Sequence, residues 1–141
     1  MEILVPLELI DLKDDGFHLL VEVVVFGHIF NIVLDTGASR TVFDKSTTER
    51  YLDPKNLLRS ELLSAGLGTV SMESYTVILP SLTMGTLDLP NLQVAILDLS
   101  TICSTYTNLN LPPIIGVLGG DILRKYKAII DYQNLSLKLI T

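Results

Sequence analysis

The amino-acid sequence predicts a single all-β domain with two or three short helices. The chain has 141 residues, of which 48% are hydrophobic, and this length is sufficient for one buried core. Apolar runs that alternate with period two, or that are rich in β-branched residues, recur along it, as in "ILVPLELI" and "HLLVEVVVF". Helical segments are few and no linker interrupts the runs, so residues 1–141 are expected to form one domain.

The predicted strands follow one another through short turns. Asp14, Asp15 and Gly16 indicate a turn after the first strand, and Gly27-His28 indicates a two-residue hairpin between "HLLVEVVVF" and "HIFNIVLD". Later strand signals are "ELLSAGLGTVS", "ESYTVILP", "LPNLQVAIL", "PPIIGVL", "YKAIIDY" and "LSLKLI". These strands are expected to form a barrel that is closed by the chain's own termini or by a partner.

Three segments indicate short helices. In "KSTTERYL", Ser46 precedes Glu49 by three residues, which is the spacing of a capping box. A second helix is expected to start at Ser100 in "DLSTICSTYTN". In "GGDILRKYK", Asp121 lies near the expected helix start and Lys125 near its end, as the helix dipole favours.

Charge and cysteine content exclude several functions. The net charge is −6 with no basic cluster, so neither nucleic acid nor an anionic membrane is an expected partner. No apolar segment reaches the ~18 residues of a membrane-spanning helix. The single cysteine, Cys103, excludes an intramolecular disulfide and a cysteine zinc site. Because the N-terminus lacks a basic signal-peptide region, a cytoplasmic location is expected, with a periplasmic or secreted one if a signal segment was removed. His18 and His28 lie beside apparent turns and are expected at the surface rather than as ligands or bases.

The strongest chemical motif is Asp35-Thr36-Gly37. Average residue usage makes such a tripeptide a chance event of roughly a few per cent in a chain of this length. A simple explanation is an Asx turn that ends a strand, with its glycine at positive φ. The setting favours chemistry, because the acid directly follows the apolar "IVL", and "TVF" then resumes a strand. The pattern indicates a carboxylate on a tight loop between two buried strands.

One carboxylate cannot hold a proton and accept one at the same time. Activating a water while protonating a carbonyl oxygen requires two carboxylates that share a proton. The chain contains no second Asp-Thr-Gly or Asp-Ser-Gly. If Asp35 is catalytic, the second acid must therefore come from another copy of the chain.

The segment "VLDTGASRTVFD" resembles the catalytic loop of retropepsin-like aspartic proteases, whose single-domain members act as homodimers. A later signature of this family, two apolar residues and a glycine before a short helix, is matched by Val117-Leu118-Gly119 and the following Gly120-Asp121. The resemblance spans nearly the whole chain. It implies a retropepsin-like closed barrel, in which the late strand passes beside the catalytic loop as a ψ-loop.

The resemblance also implies roles for individual residues. Asp35 would be the catalytic acid, with Thr36, Gly37 and Ala38 supporting the active-site loop. A glycine-bearing hairpin at residues 64–71 would form the flap over an extended peptide substrate; its residues are Ala65, Gly66, Leu67 and Gly68. The implied partners are a peptide or protein substrate and a second copy of the chain, and no metal or cofactor is required.

The sequence departs from the family pattern at two positions, and each departure leads to a prediction. Viral members often have an arginine after the late glycine, whereas Gly120-Asp121 stand here, which resembles the bacterial and ubiquitin-linked members more. Ala38 replaces the serine that is usual in pepsins, which removes a hydroxyl that could stabilise the ionised carboxylate. We therefore expect an activity optimum nearer neutral pH. A pH–rate profile tests this, and a maximum at strongly acid pH would contradict it.

Two other functions remain open on the sequence. The chain could be a catalytically silent peptide-binding module of the same fold, with Asp35 kept as a turn residue. It could also be a structural or assembly domain whose high apolar content serves oligomerisation. An Asp35→Asn variant distinguishes the first from an enzyme, and stabilisation by a transition-state mimic would count against the second.

Overall fold

The computed structural model describes residues 1–60 and 74–141. These residues are mostly strands with three short α-helices, which confirms the predicted fold class. The strands are β1 (Glu2–Asp11), β2 (Phe17–Val25), β3 (His28–Leu34), β4 (Val42–Asp44), β5 (Leu58–Ser60), β6 (Ser74–Met84), β7 (Leu87–Leu97), β8 (Ile114–Leu118), β9 (Ile129–Asp131) and β10 (Ser136–Ile140). The α-helices are α1 (Lys45–Thr48), α2 (Ser100–Asn108) and α3 (Gly120–Lys125), and single 3₁₀ turns span Lys13–Asp15 and Pro54–Asn56.

The strands form one ring-like sheet. Its order is β5-β6-β7-β4-β8-β3-β2-β1-β10-β9, and an additional pairing of β2 with β6 joins the two sides. β8 lies between β3 and β4, parallel to the first and antiparallel to the second. This mixed pairing brings the end of β8 beside the loop that connects β3 to β4, which is where Asp35 lies.

The two ends of the chain pair with each other. β1 is antiparallel to β10 in a register that places Glu2 opposite Ile140. The Met1 amino group donates to the Thr141 carbonyl oxygen at 2.9 Å, and the Thr141 amide donates to the Met1 carbonyl oxygen at 2.9 Å. The termini therefore pair with each other, but the expectation that the termini or a partner close the barrel is wrong, because the ring closes through the pairing of β2 with β6.

Alternating side chains supply the core. On β1, Ile3, Val5 and Leu7 are buried while their neighbours are exposed, as expected for a strand with one face on the core. The largest buried cluster fills the interior of the ring. A second cluster forms beneath α2, where Tyr106 packs with Leu20 and other apolar side chains. Leu20 of β2 lies opposite Val33 of β3, which belongs to the same cluster and lies two residues before Asp35.

The hairpin between β2 and β3 differs from the prediction by one residue. Its turn is Phe26-Gly27 rather than Gly27-His28, and both turn residues have positive φ, 55° and 74°. Two positive φ angles give a turn whose twist matches that of the strands it joins. Glycine adopts this conformation readily, but nothing in the sequence marks Phe26 for it, so the turn was misplaced.

The cap of α1 also differs from the prediction. Asp44 is the N-cap residue, not Ser46, and its Oδ2 accepts from the Thr47 amide at 3.2 Å. The Ser46 hydroxyl donates to the same oxygen at 3.0 Å. Asp44, which has an extended backbone conformation, therefore accepts the hydrogen bond from the first turn of the helix that was expected to go to Ser46. The predicted starts at Ser100 and near Asp121 are confirmed.

In the described parts of the chain, no helix is long and apolar enough to cross a membrane.

Candidate active site

Asp35 lies at the point where a buried strand reaches the surface. Ile32 and Val33 near the end of β3 are buried, whereas Asp35, Thr36 and Gly37 are exposed. The Asp35 amide donates to the Leu118 carbonyl oxygen at 3.0 Å, so the β3–β8 pairing continues into the loop. The Asp35 carboxylate is thus exposed to solvent, while its own backbone is anchored to β8.

Hydrogen bonds within the loop orient this carboxylate. The Gly37 amide donates to Asp35 Oδ1 at 3.0 Å, and the Ala38 amide donates to the Asp35 carbonyl oxygen at 3.2 Å. Gly37 does not have positive φ; a Cβ at this position would lie 3.3 Å from Asp35 Oδ1. The glycine therefore serves close approach to the carboxylate rather than a left-handed turn.

The residues that follow β8 contact the Asp35 loop directly. The Gly120 amide donates to the Ala38 carbonyl oxygen at 2.7 Å. A Cβ at Gly119 would lie 2.4 Å from the Arg40 carbonyl oxygen and 2.9 Å from that of Ala38. Only glycine permits this crossing without displacing the loop. Of the predicted ψ-loop residues, Leu118 and Gly119 contact the Asp35 loop, while Val117 is half-buried and pairs with Val33 and Val42.

The carboxylate of Asp121 joins the Asp35 loop to α3. Asp121 belongs to the Gly120-Asp121 pair that stands where viral members often have an arginine. Asp121 Oδ1 accepts from the Thr41 hydroxyl at 2.8 Å, from the Thr41 amide at 2.9 Å and from the Ile122 amide at 2.9 Å. The buried Thr41 hydroxyl also accepts from the Gly119 amide at 3.1 Å. Thr41 and Asp121 therefore fix the crossing by hydrogen bonds.

We expect Thr41→Val to destabilise the protein by about 1–3 kcal/mol, because it leaves the buried Gly119 amide without its acceptor. Valine keeps the shape of the side chain, so the loss reports the hydroxyl. Denaturant unfolding measures the change in free energy. Thr41→Ser is the control: it keeps the hydroxyl and should cost about 1 kcal/mol for the lost methyl group. Equal stability of Thr41→Val and the parent protein would contradict this assignment.

A cleft of about 200 Å³ opens beside Asp35. Its lining consists of Phe17, His18, Leu19, Leu34, Asp35, Thr36, Ile130 and Tyr132. The rings of Phe17 and Tyr132 meet edge to face, with centroids 6.1 Å apart, and both are about half exposed. This cleft therefore combines aromatic and aliphatic side chains with a single carboxylate and with the polar groups of His18, Thr36 and Tyr132.

His18 in this cleft corrects a sequence-based expectation. It is half-buried rather than a surface residue, and its Nδ1 lies 2.8 Å from the hydroxyl of Tyr106. The β2–β3 register could have revealed its place, since the pairs run from Val25 opposite His28 to Leu20 opposite Val33. The same register, continued by two residues, sets His18 opposite Asp35.

Burial controls the ionisation of Tyr106. Its side chain is fully buried, and desolvation raises the pKa of the phenol from 10.0 to about 12. The unfolded state ionises first, so this group's contribution to stability is complete below pH 10 and declines as pH rises towards 12.

We therefore expect the unfolding free energy of the parent protein to fall between pH 10 and 12, by up to about 1.4 kcal/mol per pH unit from this residue. Tyr106→Phe should lack this component. Denaturant unfolding across this pH range tests the difference, with Tyr132→Phe as the control at an exposed phenol. Parallel curves for the parent protein and Tyr106→Phe would contradict the assignment.

The predicted flap residues Ala65, Gly66, Leu67 and Gly68 lie outside the described residues. The described strands on either side of them are antiparallel partners. β5 pairs with β6 in a register that places Leu58 opposite Thr76 and Ser60 opposite Ser74.

Comparisons with known proteins agree with this architecture. The family model described as aspartyl protease matches residues 21–122. A search of curated proteins finds no match. A retropepsin-like aspartic protease from Rickettsia conorii is similar in structure, with a TM-score of 0.59 and 20% identity over 99% of this chain and 88% of that one.

Two further solved structures share the fold. The retroviral protease-like domain of Ddi1 from Leishmania major has a TM-score of 0.56 and 13% identity, over 85% of this chain and 86% of that one. The EIAV protease complexed with the inhibitor HBY-793 has a TM-score of 0.55 and 18% identity, over 79% and 90%. The chain therefore belongs to the aspartyl protease family and has a retropepsin-like fold.

Proposed function

We propose that this protein is an aspartic endopeptidase that acts as a homodimer, with each copy contributing Asp35 to one shared site. A two-fold interface brings the same surface of both chains together, so the two Asp35 loops would meet at the symmetry axis. The site would need no metal or cofactor. Its substrate would be a peptide or an extended segment of a protein.

The observation that carries this proposal is a single exposed carboxylate on a rigidly supported loop. Among the described residues that line the cleft, Asp35 is the only acid. Its Oδ1 is oriented by Gly37, whereas Oδ2 accepts no hydrogen bond from any described residue. The exposed Thr36 side chain likewise has no hydrogen-bond partner in residues 1–60 and 74–141. A second copy of the loop would supply both a second carboxylate and a partner for Thr36.

The mechanism follows from the shared proton. Two carboxylates in close contact do not both ionise, so the pair holds one proton and binds a water between its members. The ionised Asp35 takes a proton from this water as the water oxygen attacks the scissile carbonyl carbon. The protonated Asp35 of the other copy gives its proton to the carbonyl oxygen, which produces a neutral tetrahedral diol.

Collapse of the diol completes the reaction. One carboxyl group gives a proton to the amide nitrogen while the other takes a proton from a diol hydroxyl, and the C–N bond breaks. The products are a carboxylic acid and an amine, and the pair again holds one proton. Gly37 would leave room for the scissile bond. The hairpin expected at residues 64–71 would cover the peptide, and its backbone groups would form hydrogen bonds with the backbone of the extended peptide.

Sedimentation over a wide concentration range, with and without a pepstatin-like inhibitor, tests this proposal. We expect a dimer, or a monomer that the inhibitor drives to a dimer, because inhibitor binding requires both loops. A chain that stays monomeric under both conditions would leave one carboxylate alone. The shared-proton mechanism would then be wrong.

A further inference from the structure

The cleft beside Asp35 contains a histidine that the proposed mechanism does not use. His18 lies on β2 opposite Ile10 of β1, so the β1–β2 pairing fixes its backbone position. It is half-buried and lines the same cleft as Asp35 and Thr36. Its position opposite Asp35 in the continued β2–β3 register places an imidazole next to the proposed reaction centre.

Tyr106 of α2 determines how this imidazole is presented. The two rings stack at 19° with centroids 5.9 Å apart, and the hydroxyl lies 2.8 Å from Nδ1. No buried side-chain nitrogen or oxygen in the described residues is without a hydrogen-bond partner. The phenol is therefore paired with His18 while it remains protonated.

The burial of Tyr106 favours one tautomer of the His18 ring. The Tyr106 hydroxyl is fully buried and Nδ1 is its hydrogen-bond partner, so its hydrogen is paired only if the hydroxyl donates a hydrogen bond to Nδ1. The ring hydrogen then resides on Nε2. Nε2 has no hydrogen-bond partner among residues 1–60 and 74–141. The fold thus holds a hydrogen-bond donor, oriented by a buried tyrosine, in a cleft whose other polar side chains are those of Asp35, Thr36 and Tyr132.

We propose that His18 is a specificity-determining residue that donates a hydrogen bond from Nε2 to a primary amide side chain of the substrate, a glutamine or an asparagine, and that Tyr106 is its positioning residue. This inference rests on the proposed protease function. A primary amide complements the cleft because its carbonyl oxygen accepts from Nε2 and its NH₂ group can donate to nearby oxygens. Phe17 and Tyr132 would contact its aliphatic stem.

Charged side chains complement the cleft less well than an amide does. A substrate carboxylate would be repelled by Asp35 in the same cleft and by the net charge of −6. A lysine or arginine would be attracted to Asp35, but it offers no acceptor to the Nε2 donor. Because two copies related by two-fold symmetry would each supply one cleft, the amide preference should appear at two positions, one on each side of the cleaved bond.

Cleavage-site profiling tests this inference. A mixture of peptides from a tryptic digest of denatured proteins is incubated with the parent protein and with His18→Leu, His18→Gln and Tyr106→Phe, and mass spectrometry identifies the cut positions. The parent protein should show enrichment of glutamine and asparagine at a fixed position on each side of the cut. A synthetic peptide with glutamine there should have a kcat/KM roughly 3- to 10-fold above its methionine counterpart.

This ratio should fall to about one in His18→Leu and decrease partly in Tyr106→Phe. His18→Gln should retain part of it, since its amide can also donate. His18→Leu leaves the buried Tyr106 hydroxyl without its partner, so the double variant His18→Leu/Tyr106→Phe provides a second test if the single variant does not fold. Unchanged enrichment in the folded variants would overturn the inference and leave the protease function intact.

A parent protein with no amide enrichment would also overturn the inference alone. A parent protein that cleaves no peptide in the mixture would overturn the proposed function, and this inference with it. Loss of the ratio with cleavage retained in His18→Leu would support both.

Discussion

Asp35→Asn is expected to lower the cleavage of denatured casein by about 100- to 10,000-fold, which is the range for removal of a positioned acid–base group. The substitution keeps the shape of the side chain and still offers an acceptor oxygen to the Gly37 amide. The folded structure should therefore persist. The expected loss lies in kcat, measured by steady-state kinetics.

Asp14→Asn is the matched control, because it removes the same charge from an exposed residue in the turn after β1. It should cleave at the parent rate. Loss of cleavage in Asp35→Asn with peptide binding retained supports the enzyme. If Asp35→Asn changes neither cleavage nor binding, Asp35 is a turn residue and the peptide-binding module becomes the better account.

Gly119→Ala is expected to destabilise the protein by about 2–4 kcal/mol and to abolish most of its activity. The new Cβ would lie 2.4 Å from the Arg40 carbonyl oxygen and 2.5 Å from its carbonyl carbon. Both are backbone atoms and cannot move aside as a flexible side chain can. The segment that follows Asp35 must therefore shift, which would displace the carboxylate as well as strain the fold.

Gly120→Ala provides the matched control one residue later. Its Cβ would lie 3.4 Å from the Ala38 carbonyl oxygen, which is an ordinary contact. Because Gly120 begins α3, alanine should be neutral or stabilising by up to about 1 kcal/mol. Denaturant unfolding and casein cleavage of both variants test the prediction. Equal behaviour of Gly119→Ala and Gly120→Ala would contradict the close crossing of β8 and the Asp35 loop.

Local pattern was sufficient to predict much of the fold. The alternation in β1 and the continuous apolar run of β2 each depend on neighbouring residues, and both strands formed as expected. The Asp35 loop was also predictable, because its acid, glycine and flanking strands are adjacent in the chain. The later Val117-Leu118-Gly119 signature became meaningful through its resemblance to a family, and Leu118 and Gly119 do contact the loop.

Features that depend on distant residues were not predictable in this way. His18 and Tyr106 are 88 residues apart, and no local pattern connects a histidine at a strand start with a tyrosine inside a helix. The bonds from Thr41 to Asp121 span 80 residues and likewise require the folded crossing. Asp44 displaced Ser46 as a helix cap because tertiary contacts, including a bond from the Leu99 amide, already hold its carboxylate.

Mixed dimers test most directly whether two copies of Asp35 form one catalytic site. The parent protein and Asp35→Asn are unfolded together, refolded at a constant total concentration in varied proportions, and assayed for casein cleavage. If both carboxylates are required, activity should follow the square of the parent fraction, so an equal mixture retains about a quarter of the full rate. A linear dependence, with about half the rate in an equal mixture, would mean that each copy acts alone and would contradict the shared site.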